Sequence, residues 1–237
     1  MPDNDLDAFL AGAHVDADVL ALRPDYRVLL VAVDGITPGE SDPESEALLR
    51  RAEASAREAL AGRRSEDLAE VASWREAYRA FGAKPQRTRH SLEALLRRAD
   101  AGLPRVNRLT DTYNAISVLH RIPLGGEDVD RYSGPPHLAR ATGDESFETM
   151  AGGESAVEHP EPGEVVWRDD AGVTCRRWNW RQTRRTALTD GTTRALFILD
   201  TLDPVTTDAV GAAADELVEH LGRLGDLTVA RRLVNGA

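Results

Sequence analysis

Apolar positions along the chain follow two kinds of spacing, and each predicts a different element. Tyr26–Val33 (YRVLLVAV) is apolar at nearly every position and closes on Asp34-Gly35, which predicts a strand buried on both faces. Arg194–Asp200 (RALFILD) has the same texture and predicts a second central strand. Helical spacing appears first over Glu44–Ala61, where Leu48, Leu49, Ala52, Ala56 and Leu60 recur and Gly62 supplies a stop. Ser65 with Glu66 and Asp67 is an N-terminal capping signature. The helix it opens carries Val71, Trp74, Tyr78 and Phe81 on one stripe and ends at Gly82. Ser91 caps a further helix with Leu92, Leu95, Leu96 and Ala99 inward, stopped by Gly102 and Pro104. A fourth runs from Thr110 or Asp111 to about Leu119, so four helices are expected before residue 122. Val210, Ala214, Leu217, Leu221 and Leu224 predict a last amphipathic helix closed by Gly225.

After Pro123 the pattern changes. Gly125-Gly126, Gly134-Pro135-Pro136, Gly143, Gly152-Gly153, Pro162-Gly163 and Gly172 punctuate short runs such as Val165–Trp167 and Val173–Arg176, which predicts a β-rich half. Helices wrapped on a sheet make the expected class α+β. Residues 1–25, acidic and weakly periodic, read as a loosely ordered lead-in. With no repeat and no long linker, 26–237 reads as a single domain.

Charge narrows the function classes. The 237 residues hold 40 Asp+Glu against 29 Lys+Arg, a formal charge of −11, so the blanket positive charge of a sequence-independent nucleic-acid binder is missing. Any RNA contact must be local, and no DNA is expected as a partner. Apolar runs are far shorter than the roughly 20 residues of a membrane span, and the N-terminus lacks a secretory pattern. A lone cysteine, Cys175, forbids an intramolecular disulfide and makes the cytoplasm the expected compartment.

Candidate chemistry lies in three segments. Phosphate-loop, zinc-protease and nucleophile-elbow motifs are absent, no two of the six histidines stand at i, i+4, and neither a metal nor a cofactor is expected. Arg176–Arg185 (RRWNWRQTRR) packs five arginines and two tryptophans into ten residues. Guanidinium planes and indoles suit base stacking, phosphate pairing or a carboxylate. The bland alternative is a strand with Arg177, Asn179 and Arg181 on one face and Trp178 and Trp180 buried on the other. A second basic cluster, Lys84, Arg87, Arg89, His90, Arg97, Arg98, Arg105 and Arg108, is either an RNA footprint or a set of solvated helix faces; Arg87 and Arg89, at the Pro85 break, are expected to be less tied into ion pairs than Arg97 or Arg98. In Asn107–Asp128, Asp111 and Asn114 share a helical face ahead of the Gly125-Gly126 turn, which reads as a small-ligand cradle or as helix capping.

Taken together these segments resemble a family. NRLTDTYNAISVLHRIPLGGEDVD, LARATGDESFETMAGGE and PEPGEVVWRDDAGV are similar in order and content to the B3/B4 module of the bacterial phenylalanyl-tRNA synthetase β subunit. Trp74–Pro85, Ser91–Arg98 and Cys175–Gln182 (CRRWNWRQ) resemble stand-alone B3/B4 proteins more strongly still, and the likeness covers about residues 70–205. The resemblance implies a three-layer β/β/α module, here with additional N-terminal and C-terminal helices, which in the synthetase hydrolyses tRNA mischarged with tyrosine. Carried over by position, the editing Asn falls on Asn114, its Thr on Tyr113, its His on Gly125, and its pocket Glu near Leu199, with Asp200 the nearest carboxylate. Arg177, Asn179, Arg181 and Gln182 occupy the place of a Gly-rich loop, so the pocket is rebuilt. The implied function is hydrolysis of a mischarged aminoacyl-tRNA in trans, with Asn114, Asn179, Arg177 and Asp200 as catalytic candidates. The substrate-binding candidates are Asn107, Asp111, Tyr113, Gly125, Gly126, Asp128, Trp178, Trp180, Arg181 and Gln182. Lys84, Arg87, Arg89, Arg105 and Arg108 are the RNA-binding candidates. The rival reading is a non-catalytic module of the same fold that binds an amino-acid-like molecule or tRNA.

Overall fold

The computed structural model describes residues 4–235. Its central strand is β2 (Arg27–Asp34), buried at its six inner positions, as the continuous apolar run requires. It pairs antiparallel with β10 (Arg194–Thr201), Arg194 opposite Asp34 through Thr201 opposite Arg27, and on its other side with β11 (Thr228–Asn235). The strand β3 (Leu124–Asp128) pairs with the far side of β10, giving the order β11-β2-β10-β3.

Period-two geometry splits β2 between two cores. Leu29, Val31 and Val33 pack with Leu48, Leu49 and Ala52 of α3 (Pro43–Leu60), Ala115 and Ile116 of α6 (Arg108–His120), and Leu217 of α7 (Thr207–Leu221). Val28, Leu30 and Ala32 pack instead with Trp167, Trp178 and Trp74. That second core is closed by a five-stranded sheet, β1 (His14–Val15), β4 (His137–Arg140), β7 (Val165–Asp169), β8 (Gly172–Arg176) and β9 (Arg181–Gln182), in the order β1-β4-β7-β8-β9. Helices, four-stranded sheet and five-stranded sheet thus form the three layers of an α+β fold. A separate hairpin, β5 (Phe147–Ala151) with β6 (Glu154–Glu158), stands beside them.

Local chemistry sets the helix ends. Asp42 accepts from Ser45 N at 2.8 Å and Pro43 occupies the first position of α3. Asn107 accepts from Thr110 N at 2.8 Å and starts α6. The helix over residues 65–80 begins as a short 3-10 turn, Ser65–Asp67, and continues as α4 (Ala69–Ala80), while α5 (Ser91–Leu96) takes its cap from His90, not Ser91.

Four expectations need correction. The segment read as a loosely ordered lead-in holds α1 (Asn4–Ala11) and α2 (Ala17–Leu22), and Leu6, Leu10 and Val19 are buried in the second core with Val28, Leu30 and Ala230, on the face of β2 and β11 turned away from α3 and α6. Six α-helices therefore precede residue 122 among the described residues, not four. A strand, β11, follows the last helix where none was expected. The RRWNWRQ segment is not an alternating strand: residues 177–180 form a turn, with Arg177 and Trp178 both left-handed at φ 48° and 67°.

Candidate active site

A cavity of about 110 Å3 lies beside β3, lined by Asn114 and Tyr113 of α6, Gly125 and Glu127 of β3, Ile198 and Asp200 of β10, and Trp167, Cys175 and Trp178–Gln182 of the facing sheet. The left-handed turn is what builds it. Two successive non-glycine residues at positive φ cost about 1–3 kcal/mol each, and here they drive the Trp178 indole fully into the core and bring Asn179 into the cavity. Trp178 meets Tyr26 and Trp74 edge-on, at 5.0 and 5.4 Å between ring centroids.

Asp200 is 3% exposed and has no cationic partner among the described residues. Tyr26 Oη donates to its Oδ1 at 2.5 Å and Asn179 Nδ2 to its Oδ2 at 3.3 Å. Burial outweighs these donors and pushes its carboxyl up to about 7. Asn179 is held in turn by Tyr78 Oη, which donates to its Oδ1 at 3.1 Å. Glu127, fully buried, is a second such carboxylate: Tyr132 Oη and Thr186 Oγ1 donate to its Oε2, the latter at 3.0 Å, and Gln182 Nε2 approaches Oε1 at 3.5 Å. Burial raises its pKa as well. Asn114, 9% exposed, makes no side-chain hydrogen bond among the described residues, so its amide is open to the cavity. Cys175 also lines it, but burial raises the thiol well above its ordinary value, which leaves little thiolate for nucleophilic work.

Of the catalytic candidates, Asn114, Asn179 and Asp200 therefore share one cavity. Arg177 does not line it: it donates to Thr88 Oγ1, pairs with Glu164 at 3.5 Å, and stacks on Trp180 with its guanidinium carbon 4.5 Å from the ring centroid. Among the substrate-binding candidates, Tyr113, Gly125, Trp178, Trp180, Arg181 and Gln182 line the cavity. Gly126 backs it, its carbonyl accepting from Gln182 Nε2 at 3.0 Å. The other three serve the fold: Asn107 caps α6, Asp111 accepts from Ser41 Oγ at 2.5 Å and Val106 N at 2.8 Å, and Asp128 accepts from Thr192 Oγ1 at 2.7 Å. Short polar side chains at helix and turn starts satisfy backbone donors, which is why their spacing resembled a ligand cradle.

The basic cluster divides. Arg105 is tied to Glu46 at 2.8 Å and to Glu53 at 2.5 Å, and Arg108 donates to the carbonyls of Thr37 and Pro38. Arg87, Arg89, Arg97 and Arg98 instead line one open groove with Trp180 as its inner wall, and Lys84 is exposed nearby in sequence. Arg89 pairs with Glu93 at 3.6 Å and Arg97 with Glu66 at 3.7 Å, whereas Arg87 and Arg98 have no ion-pair partner among the described residues. The freest pair is thus Arg87 and Arg98, not Arg87 and Arg89.

Sequence reasoning missed Glu127, Tyr26 and Tyr78. A glutamate directly after Gly125-Gly126, inside a strand otherwise buried, was the one signal available for the first. Among the described residues no three His, Cys, Asp or Glu side chains come together as a metal site, and no helix is long and apolar enough to cross a membrane.

The model of a family described as the B3/4 domain matches residues 73–219. A solved N-terminal fragment of the phenylalanyl-tRNA synthetase beta-subunit from Pyrococcus horikoshii is similar over 94% of this chain and 50% of that chain, at 13% identity and a TM-score of 0.45. The present chain thus spans half the length of that fragment. No curated protein matches it.

Proposed function

Because the chain belongs to the B3/4 domain family, we propose that its cavity receives the amino-acid end of an aminoacyl-tRNA and that the protein hydrolyses the ester of a mischarged tRNA in trans. The observation that carries this reading is the presence, in one cavity, of a buried carboxylate without a cation, Asp200, and an amide without a hydrogen-bond partner, Asn114. The α-ammonium of an aminoacyl ester supplies the missing cation. Its carbonyl oxygen supplies the acceptor, and the amide N–H of Asn114, with the second N–H of Asn179, is placed to meet the charge that develops on that oxygen when water adds. The ribose oxygen leaves with a proton from that water. Such a mechanism needs positioning and electrostatics but no protein nucleophile, which accords with the protonated state of Cys175.

The groove of Arg87, Arg89, Arg97 and Arg98 gives the RNA a path. Trp180 walls both groove and cavity, so a single-stranded end lying on the arginines can stack on its indole as the amino acid enters. Lys84 extends this face, whereas Arg105 and Arg108 are committed elsewhere and take no part. An aminoacyl-tRNA substrate puts the protein in the cytoplasm.

Deacylation of a panel of mischarged tRNAs tests the reading. The wild-type protein should cleave at least one of them, and Asn114→Ala should lower that rate about 100- to 1,000-fold, the cost of losing an oxyanion donor. Tight binding of aminoacyl-tRNA with no cleavage of any panel member would overturn the hydrolytic reading in favour of a binding module.

A further inference from the structure

Resting on the reading that the cavity holds the amino-acid end, we propose that it selects the ester of a small amino acid, of the size of alanine or serine, and that Gln182 is the residue that shuts out aromatic side chains. Space is the first observation. The cavity measures about 110 Å3. A protein cavity of about 150 Å3 holds a single benzene ring, so about four to five non-hydrogen atoms fill this one. The α-carbon, its nitrogen and the carbonyl that must sit among Asn114, Asn179 and Asp200 take most of that room and leave a place for a methyl or hydroxymethyl group. A tyrosyl or phenylalanyl group has more than twice as many atoms.

The walls have little slack to enlarge it. Trp178 is wedged edge-on between Tyr26 and Trp74, and Trp180 lies under the Arg177 guanidinium at 4.5 Å. Behind β3 the packing is tighter still: a Cβ added at Gly126 would meet Leu188, Phe197 and Tyr113 at 3.0 to 3.1 Å. The end nearest Glu127 is closed by Gln182. Its carboxamide lies so close over Gly125 that a Cβ there would stand 2.9 Å from Nε2, and that nitrogen is held by Gly126 O at 3.0 Å, with Glu127 Oε1 at 3.5 Å. Glu127 is fully buried and its oxygens are already met by Tyr132, Thr186 and Gln182. An apolar side chain that displaced the Gln182 amide would therefore strip hydrogen bonds from buried acceptors and replace none of them, which is unfavourable. Gln182 reaches this place from the strand β9 of the facing sheet, while Gly125 leaves the room for it on β3, so the two residues together set the depth of the cavity.

Amino-acid amides, which present the α-nitrogen and carbonyl of the ester without its reactivity, provide the probe. An aromatic amide buries more apolar surface than alaninamide and binds more tightly to any site open to both, so the reverse order is the mark of exclusion by size. By calorimetric titration, alaninamide and serinamide should each bind the wild-type protein at least tenfold more tightly than tyrosinamide or phenylalaninamide. Gln182→Ala should lower that ratio at least tenfold, whereas Gln182→Leu, which keeps the bulk without the hydrogen bonds, should preserve most of it. Equal or tighter binding of the aromatic amides to the wild-type protein, or binding of no amide at all, overturns the inference, and this comparison needs no variant to fold. An unchanged ratio in a folded Gln182→Ala protein overturns the role given to Gln182. Deacylation separates the inference from the reading beneath it. If tyrosyl- or phenylalanyl-tRNA esters are cleaved faster than alanyl or seryl esters, the size inference fails and tRNA hydrolysis stands. If the small amides are preferred but no tRNA ester is cleaved, the inference stands and hydrolysis fails.

Discussion

Asp200 is a buried carboxyl without a cationic partner among the described residues, and it makes stability depend on pH in a stated direction. Burial disfavours the charge and pushes its carboxyl up to about 7 in the folded protein, against about 3.8 for an aspartate in water. Between those values the folded state holds a proton that the unfolded state has released, so this group's contribution to stability falls as pH rises from about 4 to 7. Asp200→Asn removes that slope. The melting temperature of the variant relative to wild type should therefore increase from pH 5 to pH 8; a difference independent of pH would show that Asp200 is ionised throughout. The left-handed pair Arg177 and Trp178 belongs to the same scale. Its strain is held by Trp178 in the core and by Arg177 on Glu164 and Thr88, and the outcome is the placement of Asn179 beside Asp200.

At the scale of elements, α4 carries the clearest prediction. Trp74 is 2% exposed and touches Tyr26, Trp178 and His90 edge-on or tilted, so its stripe serves the core. Trp74→Ala should cost about 3–5 kcal/mol, and the melting temperature should drop by roughly 6–20 °C in a chain of this length. A change of a degree or two would mean the cavity collapses without penalty. Strands β2 and β10 and helices α3 and α6 were legible because their signals are local: unbroken apolar runs, helical spacing and side chains that cap backbone donors. β11 was not. Its residues, TVARRLVN, carry two arginines and little apolar bulk, and it is a strand because β2 offers eight residues of backbone to pair with. α1 and α2 escaped for a related reason, since six to eight residues of weak periodicity become helix only against a surface that buries Leu6, Leu10 and Val19.

Over the whole molecule, a net charge of −11 opposes any polyanion, and only a local positive face can overcome it. In the function proposed above, that face is the groove at Trp180. Charge reversal of Arg87 and Arg98 together should weaken tRNA binding and lower the slope of log K against log salt by about one per lost phosphate contact, without altering which amino acid is preferred. Unchanged affinity and slope would return these arginines to the solvated surface. By itself the sequence determined the class of fold, the two central strands, the main helices and the segments around Asn114, Asn179 and Asp200, because apolar periodicity, caps and ordered motifs are written in neighbouring residues. Only the tertiary structure decided which polar residues meet. Asn114, Glu127, Asn179 and Asp200 come from four segments, and Glu127 and Asp200 line one cavity because β3 pairs with β10 in the register that sets Glu127 opposite Leu196. Asp111, Asp128, Arg105 and Arg108, no different in type, were drawn instead to backbone groups, hydroxyls and acids that lie beside them only once the chain is folded. A polar side chain's role depends on which donors and charges it finds at hydrogen-bond distance, and that distance is set by packing between segments far apart in sequence.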